Sequence, residues 1–263
     1  MSASTETRVR EAAGTSPAAD LAPRVLSRDP ADFAMPTGRE ESWRFTPLRR
    51  FAALLDGAPS SARLTWDTSL PAGVVLDELP ADDPFLATLP LPVDRLSAIA
   101  VGNAGAAVRI TVPESSPAEP VVLRLRGDDD AAVVQGHVIL DVRPFAQATV
   151  VLEHSGAAQY AEHLSVLVGE GATLRMVHVQ TWDPGTVHAA HVAVRLGRDA
   201  TLRSFQATLG GSAVRVLETV EYAGPGADAE LLGIFFGQAG QHLEHRILVD
   251  HAVPHCRSNV LYK

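Results

Sequence analysis

The second half of this sequence repeats itself, and the repeat limits the possible folds more than any other feature. Four similar segments occur at residues 145–149, 169–173, 197–201 and 224–228. Their alanines, Ala148, Ala172, Ala200 and Ala227, are spaced by 24, 28 and 27 residues. An internal period of this size is typical of a solenoid, in which each unit buries its apolar face against its neighbours.

The repeating units have the alternation of β-strands. Val138, Leu140 and Val142 alternate with less apolar positions, and residues 164–168 and 192–196 follow the same period of two. A strand–corner–strand unit of about 26 residues predicts a mainly β fold, a right-handed parallel β-helix or β-solenoid. A β-sandwich is the alternative, because sandwiches also combine short strands with frequent turns. The similarity of successive corners favours the solenoid.

The chain divides into three predicted regions. Residues 1–23 lack an apolar stretch and are predicted to be a disordered leader. Residues 24–96 are interrupted by prolines and predict a small N-terminal helical or mixed subdomain. Residues 97–263 are predicted to be the β-helix core, with extended structure from Ser97 and a turn at 103–105. This core is expected to be incomplete, since no capping element follows His255.

One helix can be placed within the N-terminal subdomain. Thr46 is a predicted N-cap with Pro47 at the first helical position, and Gly57 is the predicted end. The apolar residues between them recur at helical spacing: Leu48, Phe51, Leu54 and Leu55. This spacing predicts one buried helix face.

Composition excludes several classes of function. The formal net charge is −9 and the 22 basic residues are scattered, so no nucleic-acid partner is expected. No apolar run reaches the roughly 18 residues of a membrane span, so no membrane partner is expected. The single cysteine, Cys256, fits a reducing compartment and predicts a cytoplasmic protein. A structural role is favoured for this thiol.

Ten histidines are the most obvious candidate ligands: His137, His154, His163, His178, His188, His191, His242, His245, His251 and His255. A metal site requires several ligands that converge on one point. His188 and His191, three residues apart on a strand, should point to opposite faces. Solvated, outward-facing imidazoles are therefore expected, with His245 pointing inward as a hydrogen-bonded core residue. The sequence predicts no metal site.

The sequence contains no recognisable catalytic motif. It has no Gly-x-Ser-x-Gly elbow, phosphate-binding loop or dinucleotide fingerprint. Asp128–Asp130 is expected to be a solvated turn. Parallel β-helix lyases use outer-surface carboxylates and a basic residue, and the sequence does not single out such a set. No catalytic residue and no cofactor-binding residue is predicted.

A motif near the N-terminus resembles a known family. Glu41, Trp43, Arg44, Phe45 and Thr46, followed by Leu48, resemble the Glu-x-Trp-(Arg/Lys)-(Tyr/Phe)-Thr-x-Leu signature of the SufD members of the SufB/SufD family. The period of about 26 residues with Gly-x-Gly-Ala corners is similar to the core shared by that family. Residues 250–263 resemble a stretch that continues into further coils in the family. The chain is therefore expected to be the N-terminal part of a longer protein.

The resemblance implies a non-catalytic scaffold subunit of the SufBCD complex in iron–sulfur cluster assembly. A SufB-like subunit would bind through the β-helix, and a SufC-like ATPase would bind through a C-terminal domain beyond Lys263. The iron–sulfur cluster would be handled transiently by the complex, with no cofactor in this chain alone. Two alternatives come from other classes, namely a carbohydrate-active β-helix enzyme and a metal-dependent β-barrel enzyme that uses His242 and His245.

Overall fold

Stacked β-strands form most of the computed structural model, which describes residues 8–9 and 25–263. The expected disordered leader, residues 1–23, lies outside the described residues except for Arg8–Val9. The first part of the fold contains β1 (Arg8–Val9), β2 (Val25–Leu26), α1 (Ala52–Asp56), β3 (Thr65–Ser69), β4 (Val75–Pro80), α2 (Arg95–Asn103) and 3₁₀ helices at Pro30–Asp32, Leu48–Phe51 and Pro84–Thr88. The remainder contains β5 (Ala106–Val112), β6 (Val121–Val142), β7 (Gln147–Val168), β8 (Thr173–Trp182), β9 (Val187–Leu196), β10 (Thr201–Thr208), β11 (Ala213–Tyr222), β12 (Asp228–Phe235), β13 (His242–Asp250) and β14 (Arg257–Tyr262).

The strands from β5 onward form two faces of a flattened solenoid. Face A consists of β5, the second halves of β6 and β7, and then β9, β11 and β13. Face B consists of the first halves of β6 and β7, and then β8, β10, β12 and β14. Neighbouring strands within each face run parallel. The parallel register confirms the β-solenoid, and the β-sandwich, whose sheets are antiparallel, does not fit.

The corners of the solenoid stack in register, with one change from the predicted repeat. The carbonyl of Ala146 accepts a hydrogen bond from the Thr173 amide, and the carbonyl of Ala172 accepts one from the Thr201 amide, both at 2.8 Å. Ala146 is therefore the equivalent of Ala172, whereas Ala148 lies two residues further along β7, opposite Leu174. The fully buried corner alanines are Ala146, Ala172, Ala200 and Ala227. A small side chain is needed at each corner because the coils stack closely there.

The interior is filled by apolar side chains from both faces. Leu123, Leu152 and Leu174 point inward from face B, and Leu140 and Val194 point inward from face A. These five side chains are at most 1% exposed. Burial of this kind contributes about 25 cal/mol per Å² of apolar surface, and it fixes the strand register because a one-residue slip would expose every inward side chain.

The N-terminal region is attached to the solenoid through the sheet as well as by packing. β3 pairs antiparallel with the first half of β6, and β4 pairs antiparallel with β5. Residues 58–96, which appear irregular in the sequence, therefore supply two strands to the solenoid sheets. The predicted domain boundary at residue 96 stays a prediction. Helix α2 begins at Arg95, spans this boundary and packs against β6, β7 and β9.

Helix α2 corrects the expectation of extended structure from Ser97. Asp94 Oδ1 accepts a hydrogen bond from the Ser97 amide at 2.9 Å, and Ser97 Oγ accepts one from the Asp94 amide at 3.2 Å. This reciprocal capping box starts the helix. Ile99 and Val101 alternate as they would in a strand, but the cap and the small neighbours favour a helix packed closely on the sheet. The predicted turn follows, with Gly105 at a positive φ of 76°.

The helix predicted after Thr46 is shorter than expected and begins differently. A 3₁₀ turn at Leu48–Phe51 leads into α1, and Gly57, with φ of 75°, ends it as predicted. Thr46 does not cap this helix, so that assignment is wrong. Its hydroxyl instead donates a hydrogen bond of 2.7 Å to Glu244 Oε2 on β13. A half-buried carboxylate from a distant coil is the stronger partner for this hydroxyl.

Candidate functional site

The signature segment at residues 41–46 lies against the outer surface of face A. Trp43 is buried, and the Arg215 guanidinium carbon on β11 lies 4.0 Å from the centre of its ring. A guanidinium over an indole face is a favourable cation–π arrangement, and it is stronger when water is excluded. Trp43 and Thr46 therefore connect the N-terminal segment to β11 and β13.

Arg215 is the centre of a buried charge network. Its side chain is 2% exposed, and Nη1 lies 3.0 Å from Asp94 Oδ2, while Nε lies 3.7 Å from Glu244 Oε1. Burial opposes ionisation of Asp94, but the Arg215 charge, together with His191 and hydrogen bonds from Ser97, outweighs burial and holds the pKa of Asp94 below its usual value. Burial also opposes ionisation of Glu244, but hydrogen bonds from His242 and Thr46 and the charge of Arg215 together hold the pKa of Glu244 below its usual value. Both carboxylates are therefore charged partners of Arg215.

The other three signature residues face solvent. Phe45 is 71% exposed. Glu41 and Arg44 form a loose surface ion pair at 3.8 Å, and Glu41 contributes more through its backbone, whose carbonyl accepts a hydrogen bond from Arg246. Exposed pairs of this kind contribute little to stability. The signature therefore contains two structural side chains, Trp43 and Thr46, and three that are available at the surface.

We expect Thr46→Val to lower the free energy of unfolding by about 1–2 kcal/mol, because the substitution keeps the shape of the side chain and removes one hydrogen bond to a carboxylate. Urea denaturation measures this change. Phe45→Ala is the control in the same segment, and it should change stability by less than about 0.5 kcal/mol because its ring is exposed. Equal effects of the two substitutions would contradict the assigned role of Thr46.

The histidines correct the expectation of solvated, outward-facing imidazoles. Six are buried: His137, His154, His163, His178, His188 and His191. His188 and His191 do point to opposite sides of β9, as predicted from their spacing, but both sides are covered. The solenoid interior covers one side, and the segment from the 3₁₀ helix at Pro84–Thr88 to α2 covers the other. The expectation was therefore wrong because the outer side of face A is covered by other parts of the chain.

Three of these buried groups converge inside the solenoid. His154 Nε2 lies 3.2 Å from Glu162 Oε1, and His188 Nε2 lies 3.3 Å from Glu162 Oε2. All three side chains have no exposed surface. The ligand atoms lie within 4.8 Å of one another, and no other group of this kind occurs among the residues described. Two imidazoles and one carboxylate in a sealed space form the candidate functional site.

A ring of aromatic and polar side chains surrounds this site. The His178 Nε2 atom lies 2.9 Å from His154 Nδ1, and the Gln180 Oε1 atom lies 3.0 Å from His188 Nδ1. The Tyr160 ring is stacked on the His188 ring at 5.1 Å, with 8° between their planes. These contacts restrain both imidazoles so that their Nε2 atoms face Glu162.

Burial and charge shift the pKa values within the site. Burial raises the cost of ionising Glu162, but the imidazoles of His154 and His188 outweigh it and hold the pKa of Glu162 well below its usual value. Burial lowers the pKa of His188 and lowers that of His178 strongly. Burial and the neighbouring carboxylate raise the pKa of Tyr160. The site therefore contains a carboxylate that favours the anion, beside the His178 and His188 rings, whose pKa values are lowered.

A second group of imidazoles lies on the outer side of face A, below α2. His137 Nε2 lies 3.0 Å from Ser165 Oγ, and His191 Nε2 lies 2.9 Å from Thr219 Oγ1. Burial lowers the pKa of His137 to about 3 and that of His191 to about 4. His163 stacks edge-on between them. These rings are neutral packing groups and do not converge with a carboxylate as His154 and His188 do.

The polar interior continues from the site toward later coils. Gln206 follows His178 in the register of face B, and its Nε2 atom donates a hydrogen bond of 2.9 Å to Glu218 Oε2. The Tyr262 hydroxyl lies 3.2 Å from the same oxygen. Burial raises the pKa of Glu218 to about 7. His245 Nε2 lies 3.0 Å from Thr208 Oγ1, so His245 is the hydrogen-bonded inward residue that was predicted.

We expect Glu218 to make stability fall as the pH rises. Its pKa is about 7 in the folded chain against an ordinary value of 4.5, so between these values only the folded state holds the proton. A tenfold difference in proton affinity corresponds to about 1.4 kcal/mol. The contribution of Glu218 to the free energy of unfolding therefore falls by about 3 kcal/mol between pH 4 and pH 8. The difference in unfolding free energy between wild type and Glu218→Gln should change by that amount over this range. A flat difference for Glu218→Gln would contradict the prediction.

The remaining candidate ligands do not form a site. His242 Nε2 lies 3.2 Å from Glu244 Oε2, and it points away from the inward His245. His251 is exposed and lies 2.9 Å from Ser258 Oγ, and His255 is at a corner with a φ of 63°. Cys256 Sγ lies 3.6 Å from two backbone carbonyls and is half-buried. The pair of His242 and His245 that a metal-dependent enzyme would need is therefore not assembled.

One outer-surface arrangement has the composition that a β-helix lyase requires. The Arg203 guanidinium on β10 lies 3.1 Å from Asp228 Oδ2 and 3.7 Å from Glu230 Oε2 on β12. The sequence did not single out this set. All three side chains are more than a third exposed, and the guanidinium is shared between two carboxylates, which is typical of a surface ion-pair ladder. The acidic run at 128–130 is exposed as expected, but it lies within strand β6, at an irregular point of the β6–β7 register, and the expected turn is wrong.

Comparison with known proteins decides the class. The family model for the SUF system FeS cluster assembly SufBD core domain matches residues 124–263, more than half of the chain. The chain belongs to the SufBD family. It is 43% identical over 234 residues to an iron–sulfur cluster assembly SufBD family protein of Mycobacterium leprae, and 41% identical over 233 residues to one of Mycobacterium tuberculosis. Each alignment covers 88% of this chain and 59% of the relative.

The SufBD core match coincides with the solenoid. It begins within β6 and continues through β14, so it includes His154, Glu162 and His188 as well as Arg215. The signature segment lies outside the matched region. The chain spans about three fifths of the length of the curated relatives it matches. In the part of the chain that the structure describes, no helix has the length and apolar character to cross a membrane.

Proposed function

We propose that this chain is the solenoid-bearing part of a SufD-like, non-catalytic scaffold subunit in a cytoplasmic iron–sulfur cluster assembly complex. Membership of the SufBD family supports the process, and the signature at residues 41–46 supports the SufD-like assignment. The proposed partners are a SufB-like subunit and a SufC-like ATPase. The resemblance assigns the ATPase contact to a C-terminal helical domain, and no residue of this chain is assigned to it.

The observation that carries the scaffold role is an apolar row on the outer surface of face B. The row occupies equivalent positions in six successive strands: Val122, Val151, Val177, Phe205, Leu232 and Leu261. Phe205 is 36% exposed and Leu261 is 52% exposed, while the others are half-buried. Arg175, Arg203 and Glu230 form a polar row beside it. An exposed apolar patch with a polar rim is typical of a protein-binding surface.

The repeat of this row identifies the class of partner. Neighbouring rungs of any parallel solenoid are about 4.8 Å apart, so a second solenoid presents side chains at the same spacing. Two such faces can pack with interdigitating side chains at a separation of about 10 Å. A SufB-like solenoid is therefore the proposed occupant of this row.

Co-expression of the full-length protein with its SufB-like and SufC-like partners tests the proposal. We expect the three proteins to purify together, and we expect Phe205→Arg to weaken retention of the SufB-like subunit at least about tenfold. Phe45→Arg is the control, because Phe45 is exposed on the N-terminal segment away from the row. Failure of the wild-type proteins to associate, or lyase activity of the full-length protein alone, would contradict the scaffold role.

A further inference from the structure

The site inside the solenoid has the composition of a metal centre, and this role is separate from the scaffold role. We propose that His154, Glu162 and His188 bind one transition-metal dication, Fe(II) or Zn(II), between the two faces of the solenoid. The ligands come from β7 and β9. The complete site therefore exists only when these two coils are stacked.

The distances between the ligand atoms fit this role. A tetrahedral zinc site has metal–ligand distances of about 2.0–2.2 Å, which place neighbouring ligand atoms about 3.3–3.5 Å apart. His154 Nε2 lies 3.2 Å from Glu162 Oε1, and His188 Nε2 lies 3.3 Å from Glu162 Oε2. One ligand atom from each of the three residues lies within 4.8 Å of the other two, so a small adjustment would bring all three to one ion. Among the described residues, Glu162 Oε2 and His188 Nε2 are both fully buried and lack a hydrogen-bond partner, although they lie 3.3 Å apart. An ion between them would satisfy both atoms.

The charge of the site also favours a cation. Glu162 has no exposed surface, and a buried carboxylate costs several kcal/mol unless a compensating charge is close. A dication held by Glu162 and the two imidazoles would supply this compensating charge inside the solenoid.

The surrounding side chains can orient the ligands. Gln180 Oε1 accepts from a protonated His188 Nδ1, which leaves Nε2 free to bind the metal. The Trp182 indole nitrogen lies 3.1 Å from the same Nδ1, and metal binding selects the tautomer that donates to Gln180 instead of accepting from Trp182. His178 contacts the Nδ1 atom of His154, and the Nε2 atom of His154 therefore faces Glu162.

The donor set selects the metal. Two imidazoles and one carboxylate are typical ligands of catalytic Zn(II) and of non-haem Fe(II), whereas Mg²⁺ and Ca²⁺ prefer sites composed of oxygen atoms. Three protein ligands also leave at least one position for water or another small ligand. Because the site is closed to solvent, the ion is expected to enter during folding or through slow opening of the coils.

The test uses the full-length protein, unfolded with a chelator and refolded under anaerobic conditions with Co(II), Fe(II), Zn(II) or Mg²⁺. We expect one equivalent of Co(II), with visible d–d absorption, and competition by Fe(II) or Zn(II) but not by Mg²⁺. The relative affinities of the two competitors identify the preferred ion. Glu162→Gln and His188→Gln should weaken binding at least about 100-fold. His163→Gln is the matched control, because this histidine is equally buried but lies on the outer side of face A.

Anomalous diffraction from crystals of the refolded wild-type protein keeps the test decisive if the variants do not fold. A peak between His154, Glu162 and His188 would support the site. The proposal is overturned if no ion binds, if Mg²⁺ competes equally, if the folded variants keep wild-type affinity, or if the peak lies elsewhere. Co-purification with the SufB-like subunit is measured separately, so failure of the metal site leaves the scaffold test unaffected.

Discussion

Arg215→Ala is expected to lower the free energy of unfolding by about 3–5 kcal/mol. Removing one partner of a buried ion pair leaves the other charge without compensation, and this costs more than the pair itself contributes. Here two carboxylates, Asp94 and Glu244, lose their cation, and Trp43 loses the guanidinium that covers its ring. Asp94 also caps α2, so the loss should extend to the helix. Urea denaturation, followed by circular dichroism, measures the change.

The control for this prediction is Arg124→Ala on the outer surface. Arg124 forms two ion pairs, with Asp67 at 3.2 Å and Glu153 at 2.9 Å, but all three side chains are more than 40% exposed. Exposed ion pairs contribute about 0–1 kcal/mol to stability. Arg124→Ala should therefore change the free energy of unfolding little, although, like Arg215→Ala, it removes one arginine and two ion pairs. Comparable losses for the two variants would show that burial does not determine the contribution of Arg215.

Gly156→Ala is expected to destabilise the fold by about 2–5 kcal/mol. Gly156 has a φ of 75°, and a Cβ atom there would lie 2.0 Å from the carbonyl oxygen of Gly127 in the adjacent coil. A positive φ costs a residue with a side chain about 1–2 kcal/mol, and overpacking against backbone adds about 1–3 kcal/mol. The clash is with the backbone, so no side-chain rotation can relieve it. Thermal and urea denaturation measure the loss.

Gly240→Ala separates the two contributions to this effect. Gly240 has a φ of 88°, but a Cβ atom there would meet no atom within 4 Å. Its substitution should therefore cost only the conformational part, about 1–2 kcal/mol. If both substitutions cost the same, close stacking of the coils at Gly156 would not be the cause.

The repeat in the sequence was sufficient to predict the solenoid. Inward residues such as Leu140 and Val194 lie at the predicted alternating positions, and glycine and alanine lie at the corners. The period was misread at one place, where Ala148 was chosen in place of Ala146. Two alanines stand two residues apart there, and only the hydrogen bonds between coils distinguish them.

The N-terminal region was harder to predict because its partners are distant in sequence. Thr46 has the properties of a helix cap, yet its hydroxyl bonds to Glu244, which lies 198 residues later. The Asp94–Arg215 contact spans 121 residues. Local patterns cannot show such contacts. By contrast, the capping box of Asp94 and Ser97 is a local signal that could have identified α2.

The histidine cluster could have been found from the alternation itself. His154 continues the inward positions of Val150 and Leu152, and His178 continues those of Leu174 and Met176. Counting alternate positions would therefore have placed both rings in the interior. The meeting of His154 with Glu162 and His188 could not be read in this way, because it depends on the separation of the two faces.

The Arg215 network has a consequence for synthesis of the protein. Asp94 and Trp43 leave the ribosome before Arg215, and at about 5–20 residues per second the 121 residues between Asp94 and Arg215 take roughly 6–24 seconds. During this interval the nascent chain holds the indole and the carboxylate without their cation. The amino-terminal segment can therefore complete its attachment only after the coil that carries Arg215 has been translated.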